Sequence, residues 1–425
     1  MIIGFIGMSH LGLVSTIGAA SKGFSVIGFD EDKDLISNLV NSKIPIEEPN
    51  LFYNYESNKS NIKFTSNYKK ISECDLIYIA KDVKLNREGF SDLSEIEKLI
   101  ADTKKFVRND SCLVILSQVS PGFTRNMRKK FNVNIIYQVE TLVFGNALER
   151  YLNPERFILG LDDPSQTIHS SLKFYLSSFN CKILTMSFES AELAKISINV
   201  FLAASITATN SMCALAEKIG ANWQDIKKSL ILDRRIGTHS YVQPGLGISG
   251  GNIERDIITS SMLSNELGTD SSLFEAIQFN SDSRKLWPSK IIEKKFDLNK
   301  VQLSVAVWGL AYKKDTHSIK NSPAIENIRK LSNNCTFKAF DPIVKLPKLN
   351  EVRIQEFTEI LDSLNGVDVL IIFNDSNAFR EISVSQIEQR MKGNLVIDPF
   401  GVVDISSRNS LELIGLGMPE LGKSN

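Results

Sequence analysis

The chain lacks net charge: 49 Lys plus Arg face 49 Asp plus Glu across 425 residues. A balanced protein has no long-range field to draw in a polyanion or an acidic bilayer, so neither nucleic acid nor a membrane is an expected partner. Cysteine is sparse and scattered. Cys74, Cys112, Cys181, Cys213 and Cys335 form no C-x-x-C and no Cys/His ligand spacing, which excludes a disulfide frame and a zinc site and reads as buried thiols. No metal is expected. No uninterrupted apolar run reaches the roughly 18 residues of a membrane span, and the apolar start (MIIGFIG) lacks the basic residues that precede a signal-peptide core. The expected location is the cytoplasm. Short-period repeats and low-complexity tracts are absent as well. What remains, 43% hydrophobic and 23% charged residues, is an ordinary globular composition, and at about 150 residues per domain the length predicts two or three domains.

Short apolar runs alternate with longer amphipathic stretches in the first third, the pattern of strand, helix, strand units in a parallel sheet. Strands are expected at Met1 to Ile6, Phe24 to Phe29, Leu76 to Ala80, Cys112 to Leu116 and around Ile135 and Ile136, with a helix over 11–22. From Glu189 to Lys218 a stretch free of Pro and Gly reads as one long helix, of the kind that spans domains or builds a dimer interface. Strand pattern returns at Leu303 to Trp308, Thr336 to Phe340, Val369 to Phe373 and Leu395 to Ile397. The charged, Pro-bearing stretch Leu286 to Lys300 reads as a link. The pattern predicts an α/β fold with two parallel-sheet regions separated by a long-helix region.

The first strand runs into Gly7-Met8-Ser9-His10-Leu11-Gly12, a G-x-S-x-x-G version of the dinucleotide fingerprint in which Ser9 stands where the middle glycine lets amides approach a pyrophosphate. Asp30 closes the second strand, 18 residues after Gly12. A carboxylate there can hold both ribose hydroxyls and repel a 2′-phosphate, so the cofactor expected is NAD rather than NADP. His10 sits on the fingerprint turn, where packing or a cofactor-edge role is the simpler reading than catalysis.

From this point the chain resembles the UDP-glucose/GDP-mannose dehydrogenase family almost end to end. Glu48-Pro49-Asn50-Leu51 resembles the family's E-P-G-L segment, and Ser117-Gln118-Val119-Ser120-Pro121-Gly122 its S-T-V-P-P-G loop. Ala191-Glu192-Leu193-Ala194-Lys195, continuing to Asn199, Leu202-Ala203 and Asn210, resembles its central helix. Asp233-Arg234-Arg235-Ile236-Gly237, Gly309-Leu310-Ala311-Tyr312-Lys313, Ser322-Pro323 and Asp341-Pro342 follow in the family's order. The resemblance implies an α/β fold of two Rossmann-like, doubly wound parallel-sheet domains, 1–185 and 300–425, joined by a central long-helix dimerisation region, 186–295, and NAD-dependent oxidation of a sugar-nucleotide primary alcohol to a carboxylate in two hydride transfers. The second transfer normally needs a cysteine that adds to the aldehyde and leaves from a thioester.

The pattern breaks at that cysteine. The family's G-x-G-G-S-C-F-P-K-D aligns without a gap on Gly247 to Asp256, so the nucleophile position is Asn252, and an amide forms no thioester. The segment Glu140 to Gly145 retains the family's first glutamate as Glu140 but has Phe144 at the second, associated with the hydrolytic water; Gln118 replaces a threonine that helps position that water. By the same resemblance Lys195, Asn199 and Asp256 serve alcohol oxidation and oxyanion stabilisation. Lys195 and Asn199, four apart, share a helix face and can hold the substrate oxygen and a water while Asp256 accepts the proton. Taken alone, Lys195 reads as an exposed lysine paired with Glu192, and Asn252 as a turn residue among glycines.

The remaining implied contacts are Gly7, Ser9, His10, Leu11, Gly12, Asp30, Lys33 and Gln118 for NAD. For the nucleotide sugar they are Tyr241, the Gly245, Gly247 and Gly250 loop, Arg235 across a dimer interface, Lys313 and Lys320. Lys320 stands at a family arginine, replacing a bidentate fork by a point charge. Val83 stands at a family threonine, and His317-Ser318 at an acidic pair. The implied partner is a UDP-sugar and the implied assembly a homodimer. Three outcomes stay open: a two-electron oxidation, the ordinary four-electron oxidation through an aldehyde hydrate without a thiol, and a non-catalytic sugar-nucleotide binder.

Overall fold

The segments IIGFI and LIYI offer no charged residue to either face, and such runs fold as central strands of a sheet covered on both sides. In the computed structural model, which describes residues 1–86, 90–350, 352–403 and 410–419, both are buried strands: β1 (Ile2–Ile6) and β4 (Leu76–Ile79). The chain divides into two compact units, Met1–Ile198 and Asn199–Asn425.

In the first unit β1 pairs with β2 (Ser25–Phe29), which pairs with β3 (Ile62–Thr65). On the other side β1 pairs with β4, followed by β7 (Cys112–Ile115), β8 (Ile135–Gln138), β9 (Arg156–Leu161) and β10 (Lys182–Ser187). Strands β5 (Lys84–Leu85) and β6 (Ser91–Asp92) form a separate hairpin. Every pairing in the eight-stranded sheet is parallel except β8 with β9, so the expected doubly wound sheet carries one reversed junction. Strand order reverses between β1 and β4, and the loops leaving these two strands flank the crevice where α/β sheets bind ligands.

The core forms on both faces, with the Phe5 and Tyr78 rings stacked 5.0 Å apart. The helix His10–Ser21 packs against it with Leu13, Val14 and Ile17 wholly buried. Each such side chain contributes about 1.5–3 kcal/mol by leaving water.

The second unit carries an all-parallel six-stranded sheet in the order β13 (Ile354–Glu356), β12 (Cys335–Phe340), β11 (Leu303–Trp308), β14 (Val369–Ile372), β15 (Leu395–Ile397) and β16 (Glu412–Ile414). It too reverses order beside its first strand, β11. Residues Trp287–Lys295, read from sequence as part of a link, form a helix with Pro288 in its first turn. A missing N–H costs nothing there, so proline starts this helix rather than breaking a path.

The helix Phe188–Ile219 is 32 residues long, and the division between the units falls within it. It is long and apolar enough to cross a membrane by length and composition alone, and 22% of its most apolar window is buried. Counting uninterrupted apolar residues did not register it, because Ser, Thr and Asn punctuate the run. Leu193, Phe201, Met212, Leu215 and Ile219 on it are exposed.

Candidate functional site

The chain leaves β1 through Gly7 at φ +98°, where a Cβ would lie 2.8 Å from the Lys81 Cβ. A Cβ on Gly12 would lie 1.7 Å from the Gly7 carbonyl oxygen, so the first helix meets the turn backbone to backbone. Ser9, the N-cap, makes no side-chain cap. Its Oγ instead accepts the Asp82 N–H at 2.8 Å, and the Leu11 N–H donates to Asp82 Oδ2 at 3.1 Å. His10 Nε2 lies 2.8 Å from Glu48 Oε1, and its ring packs 4.2 Å from the Phe144 ring. Glu48 also accepts the N–H groups of Gly145 and Ala147, which ties the fingerprint turn to the 145–147 segment.

Asp30 ends β2 almost buried and accepts from the Met8 N–H at 2.7 Å, the Asp32 N–H at 3.1 Å and Lys81 Nζ at 3.0 Å. Burial by itself raises its pKa, but those amides and the ammonium outweigh it and hold the carboxyl below its ordinary value. Lys33 is the exposed first residue of the helix Lys33–Val40. Gln118 is half-buried, one residue after the buried Ser117 that ends the path from β7. A left-handed Gly7, the close approach at Gly12, helix-end amides at His10 and Leu11 and a carboxylate closing β2 are the parts a dinucleotide requires, and the cradle fits NAD.

A second cluster in this unit joins Glu140 to Lys195. Their charged atoms are 3.6 Å apart with both side chains largely buried, and the other Glu140 oxygen accepts the Leu142 N–H. The simpler pairing of Lys195 with Glu192 is not formed. Glu192 is fully buried and accepts the Gly122 and Thr124 N–H groups at 2.6 and 2.8 Å, closing the start of the helix Phe123–Phe131. Burial pushes its carboxyl pKa up.

In the second unit Asn199 Nδ2 donates to Asp256 Oδ2 at 2.5 Å, and Arg255 Nε donates to Asp256 Oδ1 at 3.3 Å, with both charged residues buried. The glycine loop ahead of them is fixed at three points. The Gly245 N–H donates to Asn210, the Ile248 N–H to Ser281 Oγ, and the Gly250 N–H to the Lys320 carbonyl. Gly247 and Gly250 both have positive φ, and a Cβ on Gly250 would come 2.6 Å from the Tyr312 ring. Gly250→Ala is therefore expected to cost about 1–3 kcal/mol through its backbone conformation and to displace Tyr312. A melting curve with nucleotide-sugar titration checks this, and an unchanged midpoint and affinity would contradict it.

Asn252 is the exposed first residue of the helix Asn252–Leu267. Lys285, 2% exposed, sits between Glu254 at 2.7 Å, Glu326 at 3.6 Å and Asp282 at 3.7 Å. Tyr241 is half exposed. Arg235 is 89% exposed and paired with Asp233. Lys313 lies 5.7 Å from the Tyr312 ring. Lys320 flanks Gly251, and partial desolvation followed by the Arg255 charge lowers its pKa.

All five thiols are free. Burial pushes Cys74, Cys112 and Cys213 up to about 12 and Cys335 up to about 11, and also raises the half-buried Cys181. None belongs to the segment from Gly245 to Asp256.

Residues 1–176 match the NAD binding domain of the UDP-glucose/GDP-mannose dehydrogenase family, 189–282 its central domain and 306–405 its UDP binding domain. A UDP-glucose 6-dehydrogenase of Rickettsia typhi is 30% identical over 420 residues, 95% of this chain and 96% of that one. The chain belongs to this family. It is an NAD-dependent oxidoreductase of the nucleotide-sugar dehydrogenase class. Two solved structures share its fold. A UDP-D-ManNAc dehydrogenase from Pyrococcus horikoshii has a TM-score of 0.84 at 20% identity over 98% of this chain and 99% of that one. A UDP-glucose dehydrogenase from Pyrobaculum islandicum has 0.82 at 23% identity over 93% of each.

Sequence reasoning overlooked four charged residues that the structure brings to these candidate sites: Lys81, Asp82, Arg255 and Lys285. For the first two a signal existed, since a Lys-Asp pair directly after an all-apolar strand marks the ligand-facing end of a parallel sheet. Arg255 and Lys285 carry no comparable local signal, and tertiary packing buries them.

Proposed function

We propose that this dehydrogenase oxidises an alcohol of a UDP-hexose by two electrons and that the thiol-dependent second oxidation of its family is missing. The observation that carries the reading is Asn252, exposed at the start of its helix where the family's nucleophile stands, while all five thiols are remote in sequence from that loop and four of them are buried. NAD, when bound, accepts a hydride from the alcohol carbon. The Leu11 and His10 amides and Asp30 are its proposed holders, with Gly7, Ser9 and Gly12 shaping the turn and Lys33 and Gln118 at its margin.

Within the chain, Asp256 takes the hydroxyl proton through a water that Asn199 positions, and the Lys195 ammonium stabilises the developing alkoxide, as one positive charge can in a partly buried site. Glu140 orients Lys195. Asn252 contacts the sugar without forming a covalent bond. Tyr241, the glycine loop, Lys313 and Lys320 take the UDP-sugar, with Lys320 as a point charge toward phosphate. Arg235 extends to the site of a second copy, and the exposed apolar residues of Phe188–Ile219 form the homodimer face.

The test is stoichiometric. Incubating the protein with NAD and a panel of UDP- and GDP-sugars is expected to yield one NADH per sugar, a product two mass units lighter than its UDP-hexose substrate, and no uronate. Two NADH per sugar with matching uronate would reject the two-electron reading in favour of hydrate oxidation. Binding of both ligands without any absorbance change at 340 nm would leave a non-catalytic binder.

A further inference from the structure

The loop leaving β4 carries two opposite charges at the crevice of the first unit. Lys81 lays its stem across Gly7 and sets its ammonium 3.0 Å from Asp30 Oδ2 and 3.6 Å from Glu95 Oε1. Its backbone is pinned on both sides, since Ser117 Oγ accepts the Lys81 N–H at 3.0 Å and donates to the Lys81 carbonyl at 2.7 Å. Asp82 is exposed, yet its carboxylate accepts the Leu11 N–H at the head of the first helix, and its own N–H is held by Ser9 Oγ.

Leu11 and Asp30 are the two groups through which this unit would grip a dinucleotide, an amide for the diphosphate and a carboxylate for the ribose. Each is engaged by a side chain of matching character: Asp82 puts negative charge where a diphosphate belongs, and Lys81 puts N–H donors where ribose hydroxyls belong. We propose that Lys81 and Asp82 form an internal mimic of the dinucleotide that competes with NAD for Asp30 and the Leu11 amide and so sets the affinity of the site. The inference rests on NAD binding by the first unit.

A carboxylate offers about four acceptor positions. Asp30 already serves three donors, so gripping both ribose hydroxyls requires Lys81 to withdraw. Asp82 must withdraw as well, because its charge would otherwise lie against the diphosphate. Neither movement unfolds anything. The bonds from Ser117 to the Lys81 backbone and from Ser9 to the Asp82 N–H are independent of the two side chains, so the exchange is a pair of rotamer changes. Added salt weakens both the Lys81 pair with Asp30 and the repulsion between Asp82 and a diphosphate. Salt is therefore expected to favour NAD in the wild-type protein, and to do so less in variants lacking either charge.

The test is calorimetric titration of NAD into full-length wild type, Asp82→Asn and Lys81→Met at low and moderate salt, each with a melting curve. The expected result is about tenfold tighter binding in each variant, the gain that follows removal of one competing charged hydrogen bond, with a flatter salt response. Lys81→Met keeps the stem over Gly7, so it carries the test alone if Asp82→Asn melts early. Equal or weaker binding in the folded variants would overturn the internal competition while leaving the cofactor assignment intact. Failure of all three proteins to bind NAD at millimolar concentration would instead overturn the cofactor assignment itself.

Discussion

Asp256→Asn is expected to lower kcat by roughly 10²- to 10⁴-fold, the range that a positioned general base contributes. The residue is 2% exposed and held from two sides by Asn199 and Arg255, so its carboxylate is fixed in direction before any substrate arrives. Asparagine preserves the volume and can still accept from Arg255, but it takes no proton at neutral pH. Breaking a buried ion pair also costs stability, about 3–5 kcal/mol where a charge is left uncompensated, and a melting curve must accompany the kinetics. The distinguishing readout is the split between constants. Loss of the base lowers kcat with KM for the nucleotide sugar little changed, whereas a loosened site raises KM. A kcat close to that of wild type would remove Asp256 from the proton path.

Gly12→Ala carries the largest expected effect on folding. Its Cβ would stand 1.7 Å from the Gly7 oxygen, 2.8 Å from the Gly7 carbonyl carbon and 3.0 Å from the Ala80 oxygen, all of them backbone atoms that no rotamer change can move. To admit one methyl group, the helix His10–Ser21 must lift from the turn and from β4, drawing Leu13, Val14 and Ile17 out of their packing. The expected loss is on the order of 4 kcal/mol, the exceptional end of single substitutions, accompanied by loss of NAD binding. Chemical denaturation monitored by circular dichroism measures it. A midpoint equal to wild type would mean that the close approach of helix and strand is not required.

The strands that sequence reading located are β1, β2, β4, β7, β8, β11, β12, β14 and β15, most of them short runs of apolar residues. β9 (RFILGL) is as apolar as these and was not placed, whereas two other missed strands differ in composition or position. β3 (IKFT) alternates and stands at a sheet edge, where one side needs no partner. β10 (KILTMS) is an edge strand with Leu184 exposed. The helix Trp287–Lys295 was hidden by Pro288, a residue that breaks a helix interior yet suits a first turn. Local pattern carries no information about whether a proline begins a helix or interrupts a loop.

The sites show the same division. Gly7, Gly12 and Asp30 were legible because their roles are local, namely a turn, a close approach and a strand end. The partner of Lys195 was not. Helical spacing offered Glu192, one turn away, while folding assigned Glu192 to the amides of a different helix and supplied Glu140 from the segment after β8. Periodicity, glycine placement and motif order determined the α/β class, the dinucleotide turn and the asparagine at position 252, since each depends on neighbours in the chain. Which carboxylate faces Lys195, what holds Asp256 and what lies against Asp30 and Leu11 were decided only by tertiary structure. The contacts of Asp30 with Met8 and Lys81, of Asp82 with Ser9 and Leu11 and of Asp256 with Asn199 join residues 22 to 73 positions apart, and burial, which turns an ordinary surface charge into a paired one, comes from the packing of distant elements.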